Sequence, residues 1–70
     1  MKFSARNQIK GKITNIKEGA VNGIVTIEIA NGQEIVSSIT MDSIKCLGLE
    51  VGKEAYAIVK ATSVMVGVDE

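Results

Sequence analysis

Asn31-Gly32 divides two runs rich in β-branched residues, Ile24-Val25-Thr26-Ile27-Glu28-Ile29-Ala30 before it and Gln33 to Ile39 after it. A type I′ turn needs positive φ at both central residues, and Asn followed by Gly meets that need at the lowest steric cost. The pattern predicts a tight antiparallel hairpin and commits the chain to a mostly β fold. The segment ahead of it, Phe3 to Ile16, alternates. Phe3, Ala5, Ile9, Gly11 and Ile13 fall on one parity, and Ser4, Arg6, Gln8, Lys10, Lys12 and Thr14 fall on the other. That is a long strand with a strongly polar face. Asn7 and Asn15 interrupt the apolar parity and Gly11 carries no side chain, so a bend or bulge is expected near its middle.

After Ile39 the pattern changes. Thr40-Met41-Asp42-Ser43 offers hydroxyl and carboxylate caps, Ile44 and Leu47 lie three apart, and Gly48 can close a short helix in the left-handed conformation. Gly52-Lys53 then leads into Ala55 to Thr62, and Ser63-Val64-Met65-Val66 follows as a second apolar run. Both read as short strands. Long strand, hairpin, helix and two short strands describe a five-stranded OB-like barrel with one short helix between the third and fourth strands.

Seventy residues allow one small domain, taken here as residues 1–70. Surface scaling gives about 4,200 Å² folded against about 10,700 Å² unfolded, so only roughly 60% of the surface leaves water in a monomer. Yet 46% of the residues are apolar and the mean hydropathy is +0.23, more apolar material than so small a monomer needs. A homo-oligomer is expected. Eight basic and eight acidic residues cancel, so no bulk field draws the chain to nucleic acid or to an anionic membrane. There is no histidine, and Cys46 is the single cysteine, which removes the ligands or bases of zinc, iron–sulfur and Cys/His nucleophile chemistry. The cysteine usage suits a reducing compartment, and no apolar stretch approaches the ~20 residues that span a bilayer. A cytoplasmic, non-enzymatic protein is expected.

What remains is local charge and hydroxyl chemistry. Ser4 and Arg6 are two apart on the expected first strand and leave the same face, where they can converge on one anion or form an ordinary solvated edge. Lys60 interrupts Ala57-Ile58-Val59 and Ala61, where a core strand prefers an aliphatic group, though an outward-facing lysine on the polar parity is equally simple. Thr40 and Ser43 stand at the helix start, where hydroxyls and free N–H groups favour an anion, or merely cap the helix. Cys46, between Ile44 and Leu47, reads as packing.

The stretch Ser4-Ala5-Arg6-Asn7-Gln8-Ile9-Lys10-Gly11-Lys12-Ile13 resembles the opening signature of the molbindin (Mop) family, small molybdate- and tungstate-binding domains of TOBE-like type. The similarity continues through Thr40-Met41-Asp42-Ser43, through Leu47 to Ala55, and through Ile58 to Met65. The resemblance implies an OB-like fold, hexamers of single-domain chains, and oxyanions held at subunit interfaces. Matched position by position, it places the oxyanion-binding residues at Ser4, Ala5, Arg6, Thr40, Ser43, Lys60 and Ala61, with Ala61 offering only its backbone N–H where some relatives carry Ser. Molybdate at neutral pH is a fully deprotonated tetrahedral dianion, so its ideal site presents donors only. Phosphate near pH 7 retains a proton that needs an acceptor, so a donor-only site penalises it. Sulfate differs from molybdate in size alone.

The expected function is therefore cytoplasmic binding and storage of molybdate and tungstate without catalysis, with no metal cation and no catalytic cofactor. One rival is an OB-type nucleic-acid binder, opposed by zero net charge and by only two aromatics, Phe3 and Tyr56. A ligand-free oligomerisation module explains the apolar excess and leaves Lys60 unexplained.

Overall fold

The computed structural model describes residues 3–69. Strand β1 (Asn7–Lys17) leads to β2 (Asn22–Ala30) and β3 (Gln33–Thr40), helix α1 (Met41–Leu47) follows, and β4 (Glu54–Val59) precedes a 3₁₀ turn over Ala61–Ser63. The sheet order is β3-β2-β1-β4, with antiparallel neighbours throughout. The β2–β3 connection is the expected two-residue turn, with Asn31 at φ 50° and Gly32 at φ 79°.

The long first strand serves two partners. Asn7 to Lys12 pair with β4, and Lys12 to Lys17 pair with β2, so the sheet curls around β1 into a half-barrel. The register shifts between Ile13 and Asn15, which leaves Thr14 as an extra residue. The expected bulge has a packing consequence: Ile13 and Ile16, three apart, both turn inward across it. Ile13 is fully buried and, with Val25, Ile27, Ile44 and Ala57, forms the core. Ile39, Met41, Leu49 and Ala55 pack around this cluster.

Helix α1 begins and ends where local chemistry directs. Thr40 is the N-cap, its Oγ1 accepting from the Ser43 N–H at 3.1 Å and donating to Ser43 Oγ at 2.9 Å. Gly48 closes the helix at φ 64°. Ile44 is the one buried residue of the helix, and Met41 packs against the core beside it. Cys46, expected to pack, is exposed, because the seven-residue helix offers the sheet a single narrow face.

Two strand expectations need correction. The first strand begins at Asn7 rather than Phe3, because β4 ends at Val59, the partner of Asn7, and supplies no ladder for residues 3–6. The fifth strand does not form. After Val59 the chain turns through the 3₁₀ segment, and Val64 to Asp69 run on without a sheet partner, so the described residues hold four strands. Hydrophobic alternation makes a segment competent to be a strand, but only an adjacent free edge makes it one.

Candidate functional site

In an antiparallel pair the start of one strand lies beside the end of the other. The Asn7–Val59 register therefore sets the residues that precede β1 next to those that follow β4. There they line an open cleft of about 470 Å³ formed by Phe3, Ser4, Ala5, Arg6, Ile58, Lys60, Ala61 and Thr62. Residues more than fifty positions apart in sequence share one concavity.

The two lips are shaped locally. Gln8 Nε2 donates to the Ala5 carbonyl at 3.1 Å and holds the lead-in to β1 as a turn. On the other lip, Lys60 is the N-cap of the 3₁₀ segment, with φ −64° and ψ 136°. Ser63 N donates to the Lys60 carbonyl at 2.9 Å, and Val64 N donates to that of Ala61 at 3.3 Å. Two backbone hydrogen bonds thus position Lys60, Ala61 and Thr62.

The chemistry of the lining is one-sided. Arg6 presents a planar fork of donors, Lys60 an ammonium, Ser4 and Thr62 hydroxyls, and among the described residues no carboxylate lines the cleft. The two ion pairs among the described residues, Lys10–Glu54 at 3.4 Å and Lys53–Glu50 at 2.7 Å, lie elsewhere and use neither Arg6 nor Lys60. Two cations line one cleft, and among the described residues neither makes an ion pair. Such an arrangement attracts a small dianion, holds it by charge-assisted hydrogen bonds, and has no group to act as a general base on it.

Five of the seven residues expected at the site, Ser4, Ala5, Arg6, Lys60 and Ala61, line this cleft. Thr40 and Ser43 do not. They stand where β3, the edge strand farthest from β4, passes into α1, and their hydroxyls are engaged with each other. Within one chain the capping reading of these two residues accounts for their geometry. Ser4 and Arg6 reach the cleft from a turn rather than from one strand face. The sequence reasoning missed Phe3, Ile58 and Thr62, of which Thr62 had a signal: a hydroxyl two residues beyond Lys60 in a stretch already singled out. Among the described residues no cluster of His, Cys, Asp and Glu could hold a metal ion, and no helix is long and apolar enough to cross a membrane.

Fold and cleft together describe a small curled sheet with a cationic cleft beside the β1–β4 pair, and the fold can be set against known proteins. Residues 4–66 match the family described as TOBE domain. The "Probable molybdenum-pterin-binding protein" of Haemophilus influenzae is 59% identical over 69 residues, which covers 99% of this chain and all of that protein. Among solved structures, MopII from Clostridium pasteurianum superposes with a TM-score of 0.89 at 46% identity, covering 96% of this chain and 100% of its own. The cytoplasmic molybdate-binding protein ModG, solved with molybdate bound, gives a TM-score of 0.92 at 40% identity over 99% of this chain and 49% of its own. The chain belongs to the TOBE-domain family, with the molybdenum-pterin-binding (Mop) proteins among its full-length relatives.

Proposed function

We propose that the chain binds molybdate and tungstate reversibly, without chemistry, and buffers them in the cytoplasm as a single Mop domain over residues 1–70. The observation that carries this reading is the cleft lined by both Arg6 and Lys60 and, among the described residues, by no carboxylate. Their two positive charges match a tetrahedral dianion, and Ser4, Thr62 and the backbone of Ala5 and Ala61 supply further polar contacts. Relatives described as molybdenum-pterin-binding, and a structural neighbour solved with molybdate, support molybdenum oxyanion as the ligand class. That neighbour's description as cytoplasmic supports the compartment.

The working assembly is a hexamer whose oxyanions lie between subunits. The cleft of one chain is open to solvent on one side, so a single chain leaves part of a bound oxyanion in contact with water. A second copy that brings Thr40 and Ser43 of its own helix start against the cleft would close it with two more hydroxyls.

Calorimetric titration with molybdate, tungstate, sulfate and phosphate tests the function. Saturable binding of the first two, with sulfate weaker and phosphate weakest, is expected. If all four are silent while single-stranded DNA binds, the OB-type nucleic-acid reading replaces it.

A further inference from the structure

A cleft that is to present only donors needs more than donor side chains. Every peptide group in its lining also carries a carbonyl, an acceptor that repels an unprotonated anion and welcomes a protonated one. On the Lys60 lip the backbone itself engages these acceptors. The Lys60 carbonyl accepts from Ser63 N–H at 2.9 Å, and the Ala61 carbonyl accepts from Val64 N–H at 3.3 Å. On the opposite lip residues 3–6 precede the ladder of β1, which begins at Asn7. There the Ala5 carbonyl accepts from a side chain, Gln8 Nε2 at 3.1 Å.

The Ala5 oxygen can only accept, so the amide nitrogen is the end of Gln8 that meets it. The Ala5–Arg6 peptide is trans and planar, so the bond that turns its carbonyl toward Gln8 turns the Arg6 N–H the other way. Gln8 does not line the cleft itself. It stands on β1 directly opposite Ile58 of β4, a residue of the cleft wall, and acts on the lining through Ala5. Three lining carbonyls are thus engaged by protein donors, and Gln8 is the one of those three donors that a side-chain substitution removes.

We propose that Gln8 is a positioning residue for anion selectivity: by holding the Ala5 carbonyl away from the bound anion it keeps an acceptor out of the cleft and sharpens discrimination against hydrogen phosphate. Molybdate and sulfate carry no proton at neutral or mildly alkaline pH and gain nothing from a released carbonyl. Monohydrogen phosphate carries one, and a carbonyl free to turn into the cleft accepts it. This role rests on the oxyanion reading of the cleft.

Competition calorimetry on the full chain, at mildly alkaline pH where all three ligands are dianions, compares molybdate, sulfate and phosphate on wild type, Gln8→Met and Gln8→Lys. Methionine keeps the length and loses the donor, whereas lysine supplies a donor again. In Gln8→Met phosphate should gain on molybdate by roughly 2- to 13-fold, the fold-change of one net hydrogen bond, while the molybdate-to-sulfate ratio stays at its wild-type value. Gln8→Lys should return the phosphate ratio toward wild type, because its added charge acts alike on three dianions. An unchanged phosphate ratio in Gln8→Met, or a Gln8→Lys that behaves as Gln8→Met does, overturns the role of the Gln8 bond. Sulfate and phosphate ratios that move together overturn it as well, since general loosening of the lip does not distinguish a protonated anion. Should circular dichroism show Gln8→Met misfolded, Gln8→Ala carries the same measurement. Wild type that binds none of the three anions removes the oxyanion reading itself, whereas wild-type molybdate binding with unchanged variant ratios leaves that reading intact.

Discussion

Removing the Lys60 ammonium should weaken oxyanion binding strongly and leave the unliganded fold almost untouched. The first half follows from Coulomb's law. A unit charge about 4 Å from a dianion interacts by about 2 kcal/mol at the dielectric constant of water and about 8 kcal/mol at an effective value near 20, before desolvation is subtracted. The cleft is open at one side and walled by Phe3 and Ile58 at another, so its polarity lies between those limits. A net loss of about 2–4 kcal/mol, or roughly 30- to 1,000-fold in Kd, is expected for Lys60→Ala and equally for Arg6→Ala. Arg6→Lys keeps the charge, loses the fork, and should fall between wild type and Arg6→Ala. The second half follows from the absence of counter-charges: among the described residues neither cation makes an ion pair, so Lys60→Ala should shift unliganded stability by less than about 0.5 kcal/mol. Thermal melts with and without excess molybdate, at fixed protein concentration, read both halves at once. If Lys60→Ala melts several degrees lower without ligand and shows the full wild-type rise with it, Lys60 is structural and the assignment fails.

Three further outcomes are expected. Ile13 is fully buried beside the Thr14 bulge, so Ile13→Ala should cost about 2–5 kcal/mol in a urea titration, and an unchanged midpoint would show that the core is centred elsewhere. Thr40→Ala removes the acceptor of the Ser43 N–H and should cost about 1 kcal/mol, largely regained in Thr40→Ser; a loss of molybdate affinity larger than the loss of stability would place Thr40 in an intersubunit site. The Lys53 ammonium, by its hydrogen bond and then by its charge, holds the exposed Glu50 carboxyl below its usual range. Because the folded pKa is depressed, the pair's contribution is present above the ordinary carboxylate range and is lost as pH falls through the folded value, so Glu50→Gln should flatten that part of an acid titration, most visibly at low salt.

The features that were legible in the sequence are those whose cause lies within a few residues. Asn31-Gly32 sets its own backbone angles, and Thr40 caps α1 through an N–H three residues on. Gly48 ends the helix for an equally local reason. The bulge near the middle of β1 was foreshadowed because alternation breaks parity in the sequence itself. The cleft is different. Arg6 and Lys60 could be suspected singly, but their sharing of one cleft depends on the Asn7–Val59 register of β1 and β4, and the same register brings in Thr62, whose signal was a hydroxyl two residues beyond Lys60, and Phe3, which no local pattern marked. Thr40 and Ser43 carry the right chemistry at the wrong edge of the sheet for a site within one chain. Val64 to Val68 show the limit most plainly. Their apolar character is written in the sequence, whereas whether they form a strand depends on which edge they meet, and hydrogen-bond partners for an extended segment are set by tertiary and quaternary placement rather than by the segment itself.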